Sequence, residues 1–112
     1  MSEHADCYVE PIEKPLDQAA LHTAEVTFLS VSGMGCPRCA IRVRNGLLLQ
    51  DAVLFADVYL QKGIVIVAYA PGQTTPDNLV TVVANVDHGG RHDYQAVILQ
   101  TMPAVEAFTF AA

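Results

Sequence analysis

The succession of apolar periods between Glu25 and Thr101 limits the fold of this chain more than any other feature. EVTFLSVS, Glu25 to Ser32, alternates, is rich in β-branched and aromatic residues, and stops at Gly33 and Gly35, which predicts a strand followed by a loop. Pro37 suits the first turn of a helix, where its missing N–H costs nothing. Ala40, Val43 and Leu47 then recur on one stripe, predicting a helix to about Gln50. Val53 to Leu60 and Ile64 to Ala70 are β-rich runs around Gln61, Lys62 and Gly63, the pattern of a hairpin. Pro71 and Gly72 break the second run, and Thr74 or Thr75 is placed to cap a second helix with Pro76 near its start. Leu79, Val82, Val83 and Val86 would face inward, with Gly89 and Gly90 ending the helix. Tyr94 to Thr101 alternates once more, and Pro103 stops it. The order β-α-β-β-α-β, with right-handed crossovers and a central hairpin, closes into a four-stranded antiparallel sheet with both helices on one face. The expected class is α+β, a ferredoxin-like sandwich.

Composition narrows the function classes. Hydrophobic residues make up 52% of the 112 and charged residues 16%, so the chain has the material for a packed core. No apolar run approaches the roughly 18 residues that would span a bilayer. The first residues hold acids and no basic, apolar leader pattern, so the expected compartment is the cytoplasm. A net charge of −6 disfavours nucleic acid and anionic lipid as partners. Most of that charge is local: Glu3, Asp6, Glu10, Glu13 and Asp17 face a single base, Lys14, in the first 24 residues. The chain therefore divides into an acidic amino-terminal arm (1–24, with at most one helical turn near Leu16 to Leu21), a domain (25–101) and a carboxy-terminal tail (102–112). Arg38, Arg42 and Arg44, three of the six bases, crowd together just after Cys36.

The stretch Gly33-Met34-Gly35-Cys36-Pro37-Arg38-Cys39 places a Cys-x-x-Cys pair where a strand-end loop enters a helix. Backbone N–H groups and the positive end of the helix dipole favour thiolates there, and Arg38 adds to that field. Two thiolates on a glycine-flanked loop can converge on one soft cation, Cu(I) first, with Zn(II) and other thiophilic ions competing. A dithiol redox pair is the alternative reading of the same two residues. The absence of Trp, and Gly35 in place of an aromatic residue before Cys36, count against it.

From Glu25 to Thr101 the chain resembles the heavy-metal-associated domain family of small metallochaperones, found alone and in front of copper-transporting ATPases. The likeness rests on Gly-Met-x-Cys-x-x-Cys after the first strand, on the element order, and on Asp93-Tyr94-Gln95-Ala96, similar to the family's Gly-Tyr-x-Ala. It implies a metal carrier rather than an enzyme. Cys36 and Cys39 would be the ligands, Met34 an anchor under the loop and Tyr94 a lid beside the site, with Arg38 in the surroundings. The implied partner is a metal-transporting P-type ATPase or another metal-binding domain, a metal-bridged homodimer being a further candidate.

Three departures from the family pattern bear on mechanism. Asp93 replaces the usual Gly, and the segment Asp87 to His92 is longer than the usual short turn, which makes His92, and after it His88, candidates for a third ligand. A solvated loop histidine is the plain alternative. The third departure is the arm, where His4 and Cys7 are further candidates; folded over Arg38 and Arg42, it would turn the domain into a metal-buffering or sensing module. Members that favour Zn(II) or Cd(II) tend to carry an acid beside the pair, where this chain has Gly35, and Cu(I) therefore leads.

Overall fold

The structure, a computed structural model, describes residues 10–35, 37–86 and 94–107. Its described elements, in chain order, are α1 (Gln18–His22), β1 (Glu25–Ser32), α2 (Pro37–Leu48), β2 (Val53–Tyr59), β3 (Ile64–Tyr69), α3 (Pro76–Ala84), β4 (Gln95–Pro103) and α4 (Ala104–Ala107). The four strands form one antiparallel sheet in the order β2-β3-β1-β4. The expected β-α-β-β-α-β order and ferredoxin-like fold are thus present, with two short helices added at the ends. No described helix is long and apolar enough to cross a membrane.

Alternation in β1 decides what each sheet face covers. Leu29 and Val31 point to the face that also carries Val53, Val65, Val67 and Tyr69. Cys39, Val43, Leu47 and Leu48 from α2 and Leu79 and Val83 from α3 close over them as the main core. Thr27, fully buried in this apolar setting, has its hydroxyl satisfied: it donates to the Gln100 carbonyl at 3.3 Å and accepts from Thr101 Oγ1 at 3.0 Å. Val26 points the other way, into a smaller cluster with Ala68, Leu21, Ala24 and Ala104. Asp17 starts α1 by accepting from the Ala19 and Ala20 amides. The Ala104 amide then donates to the Ala24 carbonyl, tying the start of α4 to the residue before β1 under the sheet.

The hairpin closes at Gly63, whose φ of +66° lies in the left-handed region. A Cβ there would also stand 3.1 Å from the Val31 carbonyl oxygen, so the turn and the neighbouring strand both require glycine. Thr75 caps α3 by accepting from the Asn78 amide, with Pro76 at the first helical position.

Three element ends differ from expectation. Helix α2 stops at Leu48 rather than near Gln50, where the Gln50 amide turns back onto the Leu47 carbonyl and the Lys14 ammonium satisfies the freed carbonyls of Leu48 and Gln50. Helix α3 ends at Ala84, well before Gly89 and Gly90, since the Asn85 amide turns back onto the Thr81, Val82 and Val83 carbonyls; of its expected inward residues, Val82 and Val86 are half-buried. Strand β4 extends to Pro103, which pairs with Glu25; a proline is tolerated there because β4 is an edge strand.

Candidate metal centre

Strand β1 delivers the chain to Ser32, and Gly33 turns it with φ +95°. Met34 is half-buried and packs against the main core, tethering the loop. Gly35 is exposed, with nothing within 4 Å of where a Cβ would stand, so the loop is uncrowded at the residue before Cys36. Helix α2 then begins at Pro37, with no acidic residue in its first turn to compete with thiolates for the helix dipole.

Cys39 sits in that first turn, fully buried among core residues. Tyr94, which immediately precedes β4, is 1% exposed and belongs to the same cluster. Burial pushes its hydroxyl pKa up from 10.0 to about 12; the neighbouring Cys39 adds to the rise, while the Arg42 charge opposes it. Tyr94, Cys39 and Arg42 therefore form one constellation. Arg38 is exposed and Arg42 half-buried on the same helix.

The sequence points to Arg38 beside the pair and does not point to Arg42, whose charge acts on Tyr94. The signal was the spacing: Arg42 is three residues after Cys39 and so lies on the same side of α2. Among the other candidates, Cys36, His92, His88, Cys7 and His4 lie outside the described residues. The described residues contain no group of three His, Cys, Asp or Glu side chains that could hold a metal ion.

The described part of the arm meets α2 at Arg44 and Asn45, while its first nine residues, expected to fold over Arg38 and Arg42, lie outside the described residues. The Arg44 guanidinium donates to the Ile12 carbonyl at 2.9 Å. Asn45 Oδ1 accepts from the Ile12 amide at 2.9 Å, and Asn45 Nδ2 donates to the Glu10 carbonyl at 2.8 Å. Lys14 Nζ donates to the carbonyls of Leu48, Gln50 and Val53. Residues 10–14 are thus strapped to the rear half of α2.

The family model described as "Heavy-metal-associated domain" matches residues 28–92, more than half of the chain. The chain belongs to the heavy-metal-associated domain family. Among solved structures it is similar to the CopZ metallochaperone (30% identity, TM-score 0.55, covering 64% of this chain and 98% of that one). It is similar also to the N-terminal domain of a potential copper-translocating P-type ATPase from Bacillus subtilis in the Cu(I)-loaded state (22%, TM-score 0.62, 71% and 92%). Oxidized MerP from Ralstonia metallidurans CH34 matches with 24% identity and TM-score 0.59, covering 70% and 100% of the two chains. The last two likenesses concern the fold. A search of curated proteins finds no match.

Proposed function

We propose that the chain binds one Cu(I) ion through Cys36 and Cys39 and passes it to a partner by ligand exchange. The observation that carries this reading is the seating of Cys39 in the first turn of α2, behind an uncrowded glycine loop and inside the matched family segment. A soft monovalent ion is content with two thiolates, whereas Zn(II) seeks four ligands. An acceptor thiolate can then add to the copper before one of the two donor sulfurs leaves. One Cu–S bond forms for each one broken, and no electron changes hands. The reading is of a carrier rather than an enzyme, acting in the cytoplasm.

The acceptor in this reading is the metal-binding domain of a transport ATPase or a similar domain, as the copper-translocating ATPase domain and the CopZ metallochaperone among the similar structures suggest. Arg38 and Arg42 border the site and would favour an acidic acceptor surface. His92 is the leading candidate for a third ligand, followed by His88, Cys7 and His4.

Competition titrations with Cu(I) and Zn(II), run anaerobically on wild type, Cys36→Ser and His92→Ala, test the proposal. Cu(I) should bind one to one and far more tightly than Zn(II), and Cys36→Ser should lose at least about a thousandfold in affinity. A loss beyond about tenfold in His92→Ala would add that residue to the ligand set. If neither ion binds, the carrier reading fails and the dithiol redox reading replaces it.

A further inference from the structure

The two edges of the sheet are not alike. In the order β2-β3-β1-β4, the outer sides of β2 and β4 have no strand beside them among the described residues. Each leaves a row of backbone N–H and C=O groups open to an incoming strand. Strand β2, VLFADVY, carries Asp57, so a second β2 laid against it would bring two carboxylates close together. Strand β4, QAVILQTMP, is nine residues long, carries no charged side chain and has no proline before its last position. Val97, Ile98 and Leu99, at its centre, are 62%, 37% and 54% exposed. Their alternation puts open hydrocarbon on both faces of the sheet at this edge.

Charge and register fit one occupant, the same strand of a second copy. The chain carries a net charge of −6, so two copies repel over most approaches, whereas β4 lets them meet without setting like charges side by side. A strand can meet itself antiparallel about a two-fold axis, provided that opposed side chains share a face. Ile98 pairs with Leu29 and Thr101 with Thr27 on the helix-covered face, while Val97 pairs with Ser30 and Met102 with Val26 on the other. The register shift between Phe28 and Leu29 skips Leu99. Faces therefore match when Val97 stands against Met102 of the second copy and Ile98 against its Thr101, with the axis between Leu99 and Gln100. Such an edge is about 30 Å long in a sheet about 10 Å thick, which buries roughly 600 Å² in total. That area belongs to weak, transient association.

We infer that β4 is a self-association edge, through which two copies of this chain join β4 to antiparallel β4 and make one continuous sheet of four strands from each. Backbone hydrogen bonds supply the direction of the contact, and Val97, Ile98 and Leu99 supply the apolar cover. Neither a cysteine nor a metal ion takes part, so this dimer is distinct from a metal-bridged pair and does not depend on the carrier reading.

The test uses the full chain with its thiols reduced and a chelator present, which removes disulfides and metal bridges. In sedimentation equilibrium the apparent mass should rise from that of one chain, 12.1 kDa, toward that of two between about 10 μM and about 1 mM. Over the same range the outward-facing amides of residues 96–102 should slow in hydrogen exchange by at least about twofold, and those of β2 should keep their rates. Leu99→Lys and Val97→Lys, at exposed positions, should each hold the mass of one chain throughout, with an unchanged circular dichroism spectrum. A wild type that still has the mass of one chain at about 1 mM overturns the inference. So does a dimer whose β4 amides exchange equally fast at both concentrations, because another surface then makes the contact. Exchange in the wild type decides the matter even where a lysine variant fails to fold.

Discussion

At its rear, α2 and the turn that follows it are held by six hydrogen bonds from or to residues 10–14, four on helix residues and two, both from the Lys14 ammonium, on Gln50 and Val53. At its front, the chain enters the helix through Gly33, Met34 and Gly35, with only Met34 packed against the core. Lys14 meets the helix carbonyls at the negative end of the dipole, and Cys39 stands at the positive end. A helix anchored from behind keeps its front in place without crowding it. That suits an ion that must be held, yet reached by an incoming ligand.

The harshest test of the rear anchor is Leu47→Ala. Leu47 is fully buried in the main core, and the substitution should cost about 2 to 5 kcal/mol in urea unfolding. A cost below about 1 kcal/mol would mean that the rear of α2 is not a packed anchor.

Alkaline pH probes the front through Tyr94, with Tyr69 as its counterpart across the core. Burial raises both hydroxyls to about 12, with Glu25 adding to the rise at Tyr69 through a 3.1 Å hydrogen bond. The folded state holds these protons more tightly than the unfolded one, so their contribution is complete below pH 10 and is lost as pH rises toward 12. Each accounts for at most about 2 to 3 kcal/mol. Denaturation midpoints should be flat up to pH 10 and then fall, and Tyr94→Phe should soften the fall. An equal fall in that variant would detach Tyr94 from the effect.

Lys14→Met keeps much of the apolar stem and deletes the ammonium. It should cost about 1 to 2 kcal/mol by leaving three carbonyls without their donor. Cu(I) affinity should change less than about twofold, since Lys14 lies at the opposite end of the helix dipole. A large affinity loss would show that front and rear are coupled.

The smallest effects come from a pair of glycines. At Gly46 a Cβ would stand 2.7 Å from Val86 Cγ2, so Gly46→Ala should be destabilising by about 1 kcal/mol despite the better helix propensity of alanine. At Gly35 a Cβ meets nothing within 4 Å, and Gly35→Ala should leave stability within about 0.5 kcal/mol of wild type. Reversal of that order would contradict the contrast between a packed rear and an open front.

Much of this was legible in the sequence. β1 runs from Glu25 to Ser32 as its alternation implies, and Pro37 and Thr75 mark the two long-helix starts, because proline geometry and capping are local chemistry. Cys36 and Cys39 stood out as candidates because the thiols fall at a strand-loop-helix junction. Helix ends were less legible. At Leu48 the freed carbonyl is capped by Lys14, 34 residues away, and at Ala84 the helix closes through an asparagine with no strong sequence signature.

The sequence by itself determined the order of elements, the inward stripes and the placement of Cys39 at a helix start, since each follows from side-chain period and backbone preference within a few residues. Only the tertiary structure decided that Arg44 and Asn45 hold the arm, that Arg42 belongs with Tyr94, and that α1 and α4 meet beneath the sheet. Those pairings join residues more than 30 positions apart, and their partners are chosen by packing geometry, on which local pattern is silent.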